Sequence, residues 1–178
     1  VTERTLAAAV KLLLASEAKV GGPYYTWLVP PSAENIWRDI DIAVNSNVNY
    51  FLSLVSNPLP NIAMLIDDAL EHKTFTSPYY PSSYPLVYYA TRGYSGQHKK
   101  ALLALTQSLA AQAKTPLEHA LSAIALHRLG VRIAAKTIAT ILGQQGADGS
   151  WPAAAFSIDP AIDGQTHYHG SASLTTAL

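Results

Sequence analysis

The feature that most constrains the fold is an apolar pattern of helical period that recurs along the whole chain. In each segment the apolar residues lie three or four positions apart, which places them on one face of an α-helix. Glycine and proline punctuate the segments and end the helices. The predicted helices cover residues 2–18, 39–55, 61–72, 84–93, 97–113, 115–130 and 131–143, and an eighth begins near Gly170. No window alternates apolar and polar residues as a strand does, so the sequence predicts an all-α fold.

The predicted helices fall into antiparallel pairs. A pair repeats after roughly 40 to 45 residues, which is the range of helical repeat proteins. The odd-numbered helices carry more Lys, Gln and Glu, whereas the even-numbered helices are more apolar or carry polar groups near their starts. Units of this kind cannot bury their apolar faces alone and must stack on one another. We therefore expect one domain over residues 1–178, built as a stack of helix pairs.

The composition is unusually apolar for a chain of 178 residues, since 49% of the residues are hydrophobic and 13% are charged. Either much of the surface is buried against more protein, or the helices surround an apolar cavity. The formal net charge is zero, which argues against a nucleic-acid partner and gives no polybasic signal for an anionic membrane. The absence of cysteine excludes disulfides and thiolate zinc sites.

Targeting signals are equally sparse. No apolar run approaches the roughly 20 residues of a transmembrane helix, and the first residues contain no secretory hydrophobic region. These observations predict a cytoplasmic protein without a transmembrane segment. The chain starts with Val1 rather than Met and ends in an apolar stretch, residues 173–178. We therefore expect it to be part of a longer polypeptide.

Two loops share a layout in which glycines precede a tryptophan. They are residues 21–27 (GGPYYTW) and residues 144–151 (QQGADGSW). The second loop, together with residues 168–178 (YHGSASLTTAL), resembles the repeated Gln–Asp-Gly-Ser-Trp motif of squalene and oxidosqualene cyclases and the inner-helix start that follows it. In such a motif the glutamine bonds to the backbone of the next repeat, Asp-Gly makes the tight turn, and the tryptophan packs on the adjacent helix. The motif is structural in that family, so the resemblance implies the fold rather than the chemistry.

The implied fold is the α/α toroid shared by terpenoid cyclases and protein prenyltransferases. A closed ring of six helix pairs would need roughly 250 to 280 residues at this repeat length. This chain would then form an incomplete arc of about four antiparallel helix pairs, and the remaining helices would come from further sequence or from another chain. Protein prenyltransferases hold zinc with Asp, Cys and His, so the lack of cysteine excludes their activity. We expect no metal and no cofactor.

Asp39 and Asp41 are the candidate catalytic residues. Class II terpene cyclases carry their proton donor in an Asp-x-Asp-Asp motif at the start of an inner helix, and the resemblance places Asp39 first and Asp41 at the proton-donating position. Ile42 stands in the last place, where this chain departs from the motif. Protonation of an alkene or epoxide needs a carboxyl that stays protonated near neutral pH, which a second carboxylate in an apolar pocket favours. The structural alternative is that Asp39 caps the helix and Asp41 lies in its first turn.

Candidate substrate-binding residues surround this pair. Asn45 and Asn49 follow Asp41 at intervals of one helical turn. They would form either a polar wall of a ligand cavity or an interhelix hydrogen-bond network. Aromatic faces stabilise carbocations, and the same rings also suit core packing, sugars or peptides. The aromatic candidates are Tyr25, Trp27, Tyr79 and Tyr80.

Two further polar segments are read differently. His167 and His169 either form half of a metal site or are hydrogen-bonded or exposed loop residues. We include His169 among the candidate substrate-binding residues, without a metal. Residues 67–71 (DDALE) superficially resemble the Asp-rich diphosphate–magnesium motif of class I synthases. The apolar residues of the same predicted helix occupy the opposite face, so we place these acids on a solvated face and reject the motif.

The sequence leaves three functions open. The first is a squalene- or terpenoid-cyclase-like protein that acts on or binds an isoprenoid in an apolar cavity. The second is a non-catalytic module that binds a ligand or a protein. The third is a carbohydrate-active α/α-toroid enzyme, since such rings also carry Tyr, His and Asn at their mouths. One fold hosts several chemistries, so the site must decide between them.

Overall fold

Helices dominate the part of the chain that the structure describes. The computed structural model describes residues 2–30, 32, 34–54, 59–159 and 166–178. The helices are α1 (Glu3–Ala15), α2 (Ile42–Leu54), α3 (Pro60–Glu71), α4 (Tyr84–Ala90), α5 (Lys99–Gln112), α6 (Pro116–Arg128), α7 (Ala135–Leu142) and α8 (Ala172–Ala177). A short 3-10 helix, Asn35–Trp37, lies between α1 and α2. The helix prediction is confirmed in kind, with most helices a few residues shorter than predicted. The predicted end of the second helix at Val55, with its stop at Asn57, lies outside the described residues.

The limits of α6 show how local sequence defines a helix. Thr115 Oγ1 accepts a hydrogen bond from the N–H of Glu118 at 3.2 Å, and the Glu118 carboxylate accepts one from the N–H of Thr115 at 2.9 Å. This capping box satisfies amide groups that the first turn leaves free. Beyond the other end Gly130 adopts a φ of +87°, and its N–H donates to the carbonyl of His127. Glycine tolerates this left-handed geometry, so both predicted limits of α6 are confirmed.

The helices form two contacting rows. In one row α2 packs against α4 and α4 packs against α6, while in the other row α3 packs against α5. Contacts between α2 and α3, α4 and α5, α5 and α6, and α6 and α7 join the rows. The even-numbered helices α2, α4 and α6 thus follow one another as direct neighbours.

The core lies between these rows. The largest fully buried apolar side chains are Ile62, Ile66, Leu86, Leu102 and Leu121. In contrast, α1 and α7 contain no buried residue, although both are rich in apolar side chains. Leu12, Leu14, Ile138 and Leu142 on these two helices are about half exposed. The stack therefore leaves apolar surface uncovered at α1 and at α7.

The expectation of a chain without strands is wrong at one place. Strand β1 (Ser157–Asp159) pairs antiparallel with strand β2 (His167–His169) between α7 and α8. Strands of three residues are too short for alternation to be visible in the sequence. The N–H of Ile158 donates to the carbonyl of Tyr79 at 2.9 Å, which attaches this ribbon to the loop before α4. The histidine segment that was expected to be a loop is therefore a strand.

The prediction that the acids of residues 67–71 lie on a solvated face is wrong for Asp67. The Asp67 carboxylate accepts hydrogen bonds from the hydroxyl of Tyr94 and from the N–H groups of Gln97 and His98. Burial by itself would raise the pKa of Asp67, but these hydrogen bonds outweigh it and lower the pKa. Asp67 thus fastens α3 to the start of α5, a contact that helical periodicity cannot reveal. Among the helices that the structure describes, none has the length and apolar character needed to cross a bilayer.

Candidate functional site

The segment that leads into α2 is held by one buried amide. Gly21 and Gly22 turn the chain with φ of +81° and +84°, a geometry that favours glycine. Asn45 accepts a hydrogen bond from the N–H of Tyr24 at 2.8 Å and donates to the carbonyl of Tyr24 at 2.9 Å. It also donates to the carbonyl of Asp41 at 2.9 Å, and its side chain is fully buried. Every polar group of the Asn45 side chain is used inside the protein, so Asn45 belongs to an internal network.

Asn49 makes a comparable link one turn further along α2. Its Nδ2 donates to the carbonyl of Gly93, beyond the end of α4, at 2.7 Å. The residue is 4% exposed. The polar row along α2 therefore fastens this helix to the preceding loop and to the end of α4, which is the network alternative for these asparagines.

Asp41 caps α2. Its Oδ1 accepts hydrogen bonds from the N–H groups of Ala43 at 2.9 Å and Val44 at 3.0 Å, as an N-cap carboxylate does. The structural alternative assigned the cap to Asp39, which is wrong by two residues because α2 begins only after Asp41. Asp41 is 3% exposed. Its second oxygen, Oδ2, is buried and has no hydrogen-bond partner.

Asp39 ends a series of hydrogen bonds that starts at the surface. Trp27 Nε1 donates to the hydroxyl of Tyr79 at 3.0 Å, and that hydroxyl donates to Asp39 Oδ2 at 2.8 Å. Asp39 Oδ1 is buried and has no partner. Burial is the first cause that raises the pKa of Tyr79 to about 12, followed by the hydrogen bond to Asp39, and the charges of Asp39 and Asp41 act in the same direction. Both carboxyl groups therefore lie close to the Tyr79 hydroxyl.

The two unpartnered oxygens, Asp39 Oδ1 and Asp41 Oδ2, are the unusual feature of this site. A buried carboxylate oxygen without a donor loses its hydration with no compensation, at a cost on the order of 1–3 kcal/mol or more. Both oxygens belong to carboxyl groups that act on the same tyrosine hydroxyl.

Aromatic side chains border the acid pair. Trp27 stands edge to face against Trp37 and against Tyr79, with ring centroids 5.7 Å apart in each case. Trp27 and Trp37 remain 39% and 43% exposed. Tyr80 is edge to face with Tyr89 at 5.9 Å. Such contacts hold the rings in defined orientations and leave two indoles facing solvent.

Tyr80 lies near enough to Asp41 for the charge of that carboxylate to act on its hydroxyl. Burial is the main cause that raises the pKa of Tyr80, with contributions from Tyr89 and from the charge of Asp41. The Tyr25 ring contacts another group, since the guanidinium carbon of Arg38 is 6.0 Å from the centre of its ring. The predicted site residues that come together are Trp27, Asp39, Asp41, Tyr79 and Tyr80.

His169 is engaged elsewhere. Its Nε2 lies 2.9 Å from Oδ2 of Asp159, and both side chains are more than half exposed. The register of the ribbon places Asp159, His167 and His169 on one face. Within the described ranges, no three His, Cys, Asp or Glu side chains are placed so that they could hold a metal ion.

The loop of residues 144–151 is a self-contained turn. Gln145 Nε2 donates to the carbonyl of Gly149 at 2.7 Å, and Asp148 Oδ1 accepts hydrogen bonds from the N–H and the Oγ of Ser150. Gly149 has a φ of +82°, which explains the glycine after Asp148. The turn expected from Asp-Gly is present, whereas the glutamine bonds within its own turn rather than to a neighbouring repeat.

Trp151 connects this turn to the helices on either side. Its Nε1 donates to the carbonyl of Ile141 in α7 at 2.7 Å, and its backbone N–H donates to Thr176 Oγ1 in α8 at 3.0 Å. Trp151 therefore links α7 and α8, because its indole N–H bonds to a main-chain carbonyl of α7 and its backbone N–H bonds to a side-chain hydroxyl of α8. This arrangement accounts for the tryptophan without any role in chemistry.

One cluster was not foreseen from the sequence. The guanidinium of Arg92 lies among the rings of Tyr50, Tyr88 and Tyr89, and the guanidinium of Arg128 lies over Tyr88. The four-residue spacing of Tyr88 and Arg92 at the end of α4 was an available signal. Arg128, however, comes from α6, and no local pattern announces that contact.

Two open concavities lie away from the acid pair. One, of about 710 Å³, is at the start of α5, and its lining residues are Gln97, His98, Lys99, Lys100, Ala101, Leu103 and Leu129. The other, of about 440 Å³, is formed by residues between His127 and Ile133. Neither is lined by a site residue predicted from the sequence.

Comparison of the chain with protein-family models, with curated proteins and with solved structures finds no match. The function must therefore be argued from the geometry of the acid pair and its aromatic surroundings.

Proposed function

We propose that this chain is a terpenoid-cyclase-like module in which Asp39 and Asp41 act as an acid pair on an isoprenoid. The observation that supports this proposal is the pair of buried, unpartnered oxygens, Asp39 Oδ1 and Asp41 Oδ2, beside the Tyr79 hydroxyl. Oδ1 of Asp41 is the acceptor for the N-cap, whereas Oδ2 makes no hydrogen bond within the described residues. The capping role therefore leaves Oδ2 for the acid role.

The chemistry follows from a proton on Asp41 Oδ2. Asp41 Oδ2–H transfers its proton to a carbon of an isoprenoid double bond, and the alkene's electron pair forms the new C–H bond. Asp41 is left as a carboxylate, and the adjacent carbon becomes a cation. The faces of Tyr79, Tyr80 and Trp27 are the aromatic surfaces that stabilise this cation. Loss of a proton from the cyclised cation forms a new double bond and returns the proton to the acid pair.

The proposal includes the arrangement of helices as an incomplete α/α toroid. The direct contacts from α2 to α4 and from α4 to α6 support it, since an inner layer of a ring is built from successive even-numbered helices. The uncovered apolar side chains of α1 and α7 are the surfaces that further helix pairs would bury. Those helices would come from further sequence or from a second chain, and together they would enclose the isoprenoid.

The test is turnover of linear isoprenoids from farnesyl to squalene length, with the products analysed by gas chromatography and mass spectrometry. We expect cyclic products from the wild type and at least about a hundredfold less from Asp41→Asn, because the amide keeps the N-cap but cannot donate an acidic proton. Asp68→Asn is the matched control, because its side chain is 70% exposed on α3. Equal turnover in Asp41→Asn and Asp68→Asn, or no cyclic product at all, would contradict the proposal.

A second candidate is a ligand-binding module without catalysis, or a carbohydrate-active one. It is favoured by the exposed indoles of Trp27 and Trp37 next to the Tyr79–Asp39 hydrogen bond, because exposed rings beside polar groups suit amphipathic ligands such as sugars. The discriminating measurement is thermal stabilisation by oligosaccharides compared with polyprenols. Stabilisation by oligosaccharides that is lost in Trp27→Ala and unchanged in Asp41→Asn would select this candidate over the cyclase.

A further inference from the structure

Arg92 lies in a cage of tyrosine rings just beyond the end of α4. Its guanidinium carbon is 4.5 Å from the ring centre of Tyr50, 5.2 Å from that of Tyr89 and 5.6 Å from that of Tyr88. One terminal nitrogen donates to Asn47 Oδ1. Its Nε is buried and has no hydrogen-bond partner. The cation is thus oriented by three ring faces while most of its five N–H donors remain unused.

Arg128 brings a second guanidinium to the same ring. It is the last residue of α6, and its guanidinium carbon lies 4.7 Å from the ring centre of Tyr88. One of its terminal nitrogens donates to the backbone carbonyl of Tyr88 at 3.0 Å. The side chain is exposed. Tyr88 therefore holds two cations, one half-buried and one facing solvent.

Neither of these two positive charges is paired with a carboxylate in the part of the chain that the structure describes. No carboxylate in the described ranges lies within ion-pair distance of Arg92 or Arg128. The aromatic faces and the carbonyl ends of α4 and α6 offset part of the charge. They leave free N–H donors in the planar, forked geometry that matches the oxygens of a phosphate group.

We propose that Arg92 and Arg128, oriented by Tyr88, form a binding site for a phosphate-type oxyanion. The ligand is either a soluble phosphorylated molecule or the headgroup of an anionic phospholipid, since both present the same oxygens. Arg92 supplies the half-buried contact and Arg128 the contact on the solvent side, and both guanidinium groups lie against the Tyr88 ring. This site is independent of the acid pair and of the function proposed for it.

The experiment is a titration of the full chain with inorganic pyrophosphate at low ionic strength, followed by calorimetry, because salt screens exposed charges. We expect saturable binding by the wild type and at least about tenfold weaker binding by Arg128→Gln, which removes charge-assisted hydrogen bonds. Arg132→Gln is the matched control, since Arg132 is exposed, lies four residues after Arg128 beyond the end of α6, and carries the same charge. Absence of binding, or an equal loss in both variants, would overturn the proposal.

Two further arms make the result specific. Arg92→Lys keeps the charge but loses the forked donors, so its binding should also weaken while its far-ultraviolet circular dichroism stays that of the wild type. Flotation with vesicles of phosphatidylcholine, with and without phosphatidic acid, separates the two sources. Binding to phosphatidic acid that depends on Arg128 assigns the lipid headgroup, and binding to pyrophosphate alone assigns a soluble ligand. Vesicle binding that falls equally in Arg132→Gln reflects overall charge and counts against the site.

Discussion

The loops of residues 21–27 and 144–151 have the same layout and use it in opposite ways. Each turns on glycines and ends in a tryptophan whose indole N–H is hydrogen-bonded. In the second loop the polar groups bond to one another, and Trp151 donates to a main-chain carbonyl. In the first loop the backbone of Tyr24 is hydrogen-bonded to Asn45 of α2. The indole N–H of Trp27 donates to the hydroxyl of Tyr79, and that hydroxyl donates to Asp39. When a neighbouring helix stabilises the backbone of a loop, the side chains of the loop remain available to form a site. In a self-contained turn the polar side chains are engaged in hydrogen bonds within the turn.

The largest difference between the loops should appear on removal of their anchors. Asn45→Ala leaves the buried N–H and carbonyl of Tyr24 unpaired and deletes three hydrogen bonds. We expect a loss of about 3 kcal/mol or more in the free energy of unfolding. Thr176→Val deletes the hydrogen bond from the exposed Trp151 amide and the one that Thr176 Oγ1 donates to the carbonyl of Ala172 in its own helix. Both lie at the surface, so the substitution should cost about 1 kcal/mol or less. Urea unfolding of both variants measures the contrast, and equal losses would show that the two loops are held in the same way.

Removal of the N-caps of α2 and α8, the helices that follow the two loops, should change the free energy of unfolding by smaller amounts. Asp41→Ala removes the acceptor for two amide groups of α2 and should cost about 1–2 kcal/mol, whereas Asp41→Asn should cost only a few tenths. Ser171→Ala at α8, where one amide group is capped, should cost about 1 kcal/mol or less. Thermal unfolding followed by circular dichroism provides the measurement. A large loss in Asp41→Asn would mean that the charge of Asp41 matters more than its capping oxygen.

The Tyr79 hydroxyl, which accepts a hydrogen bond from Trp27 of the first loop, makes folding stability depend on pH in the alkaline range. Its pKa is raised to about 12 in the folded protein, chiefly by burial and then by Asp39, whereas an unfolded tyrosine titrates near pH 10. Between these values the unfolded chain has lost the proton and the folded chain has kept it. Folding stability therefore falls as pH rises from about 10 to about 12. The folding stability of Tyr79→Phe should fall less steeply between these two pH values. Its ultraviolet titration should also lack one of the tyrosine transitions that occur at high pH in the wild type. An unchanged titration would mean that Tyr79 is in a different environment.

The smallest effects concern the indoles. Trp151→Phe loses the hydrogen bond to Ile141 and should cost about 1 kcal/mol, whereas Trp27→Phe loses a bond made at the exposed surface and should cost less. The exposure of each indole can be measured in variants that carry Trp37→Phe and retain either Trp27 or Trp151 as their one tryptophan. Iodide should quench the fluorescence of the Trp27 variant more strongly than that of the Trp151 variant. The reverse order of quenching would mean that the first loop closes over its tryptophan.

Local rules accounted for the helices and for several of their ends. The apolar period predicted each helix because burial on one face is a property of neighbouring residues. The capping box of Thr115 and the left-handed Gly130 were equally local. The two strands were missed because each contains three residues, and their pairing depends on contact with the loop before α4 rather than on their own pattern.

The sequence predicted which residues belong to the site but not the role of each one. Trp27, Asp39, Asp41, Tyr79 and Tyr80 were singled out by residue type, and the structure brings them together. Which of these residues caps the helix and which takes part in the other hydrogen bonds could not be predicted from the sequence. Whether Asp39 or Asp41 caps α2 depends on where the chain enters the helix, and the role of Asn45 depends on a loop that precedes it by 21 positions. Arg92 and Arg128 were missed because α4 and α6 meet only in the folded state.

The lack of any buried residue on α1 has a consequence for how the molecule opens. From α1 the partly buried Leu13 packs against the core. The backbone hydrogen bonds of Tyr25 to Ser16 and of Ala18 to Pro23 lie beyond the end of the helix. Amide hydrogens within α1 should therefore exchange with solvent through local fraying, while those of α2, which carries seven buried residues, should exchange only when the whole stack unfolds. Deuterium uptake by α1 should be complete long before that of α2 begins, which makes α2 to α6 the cooperative unit of the chain.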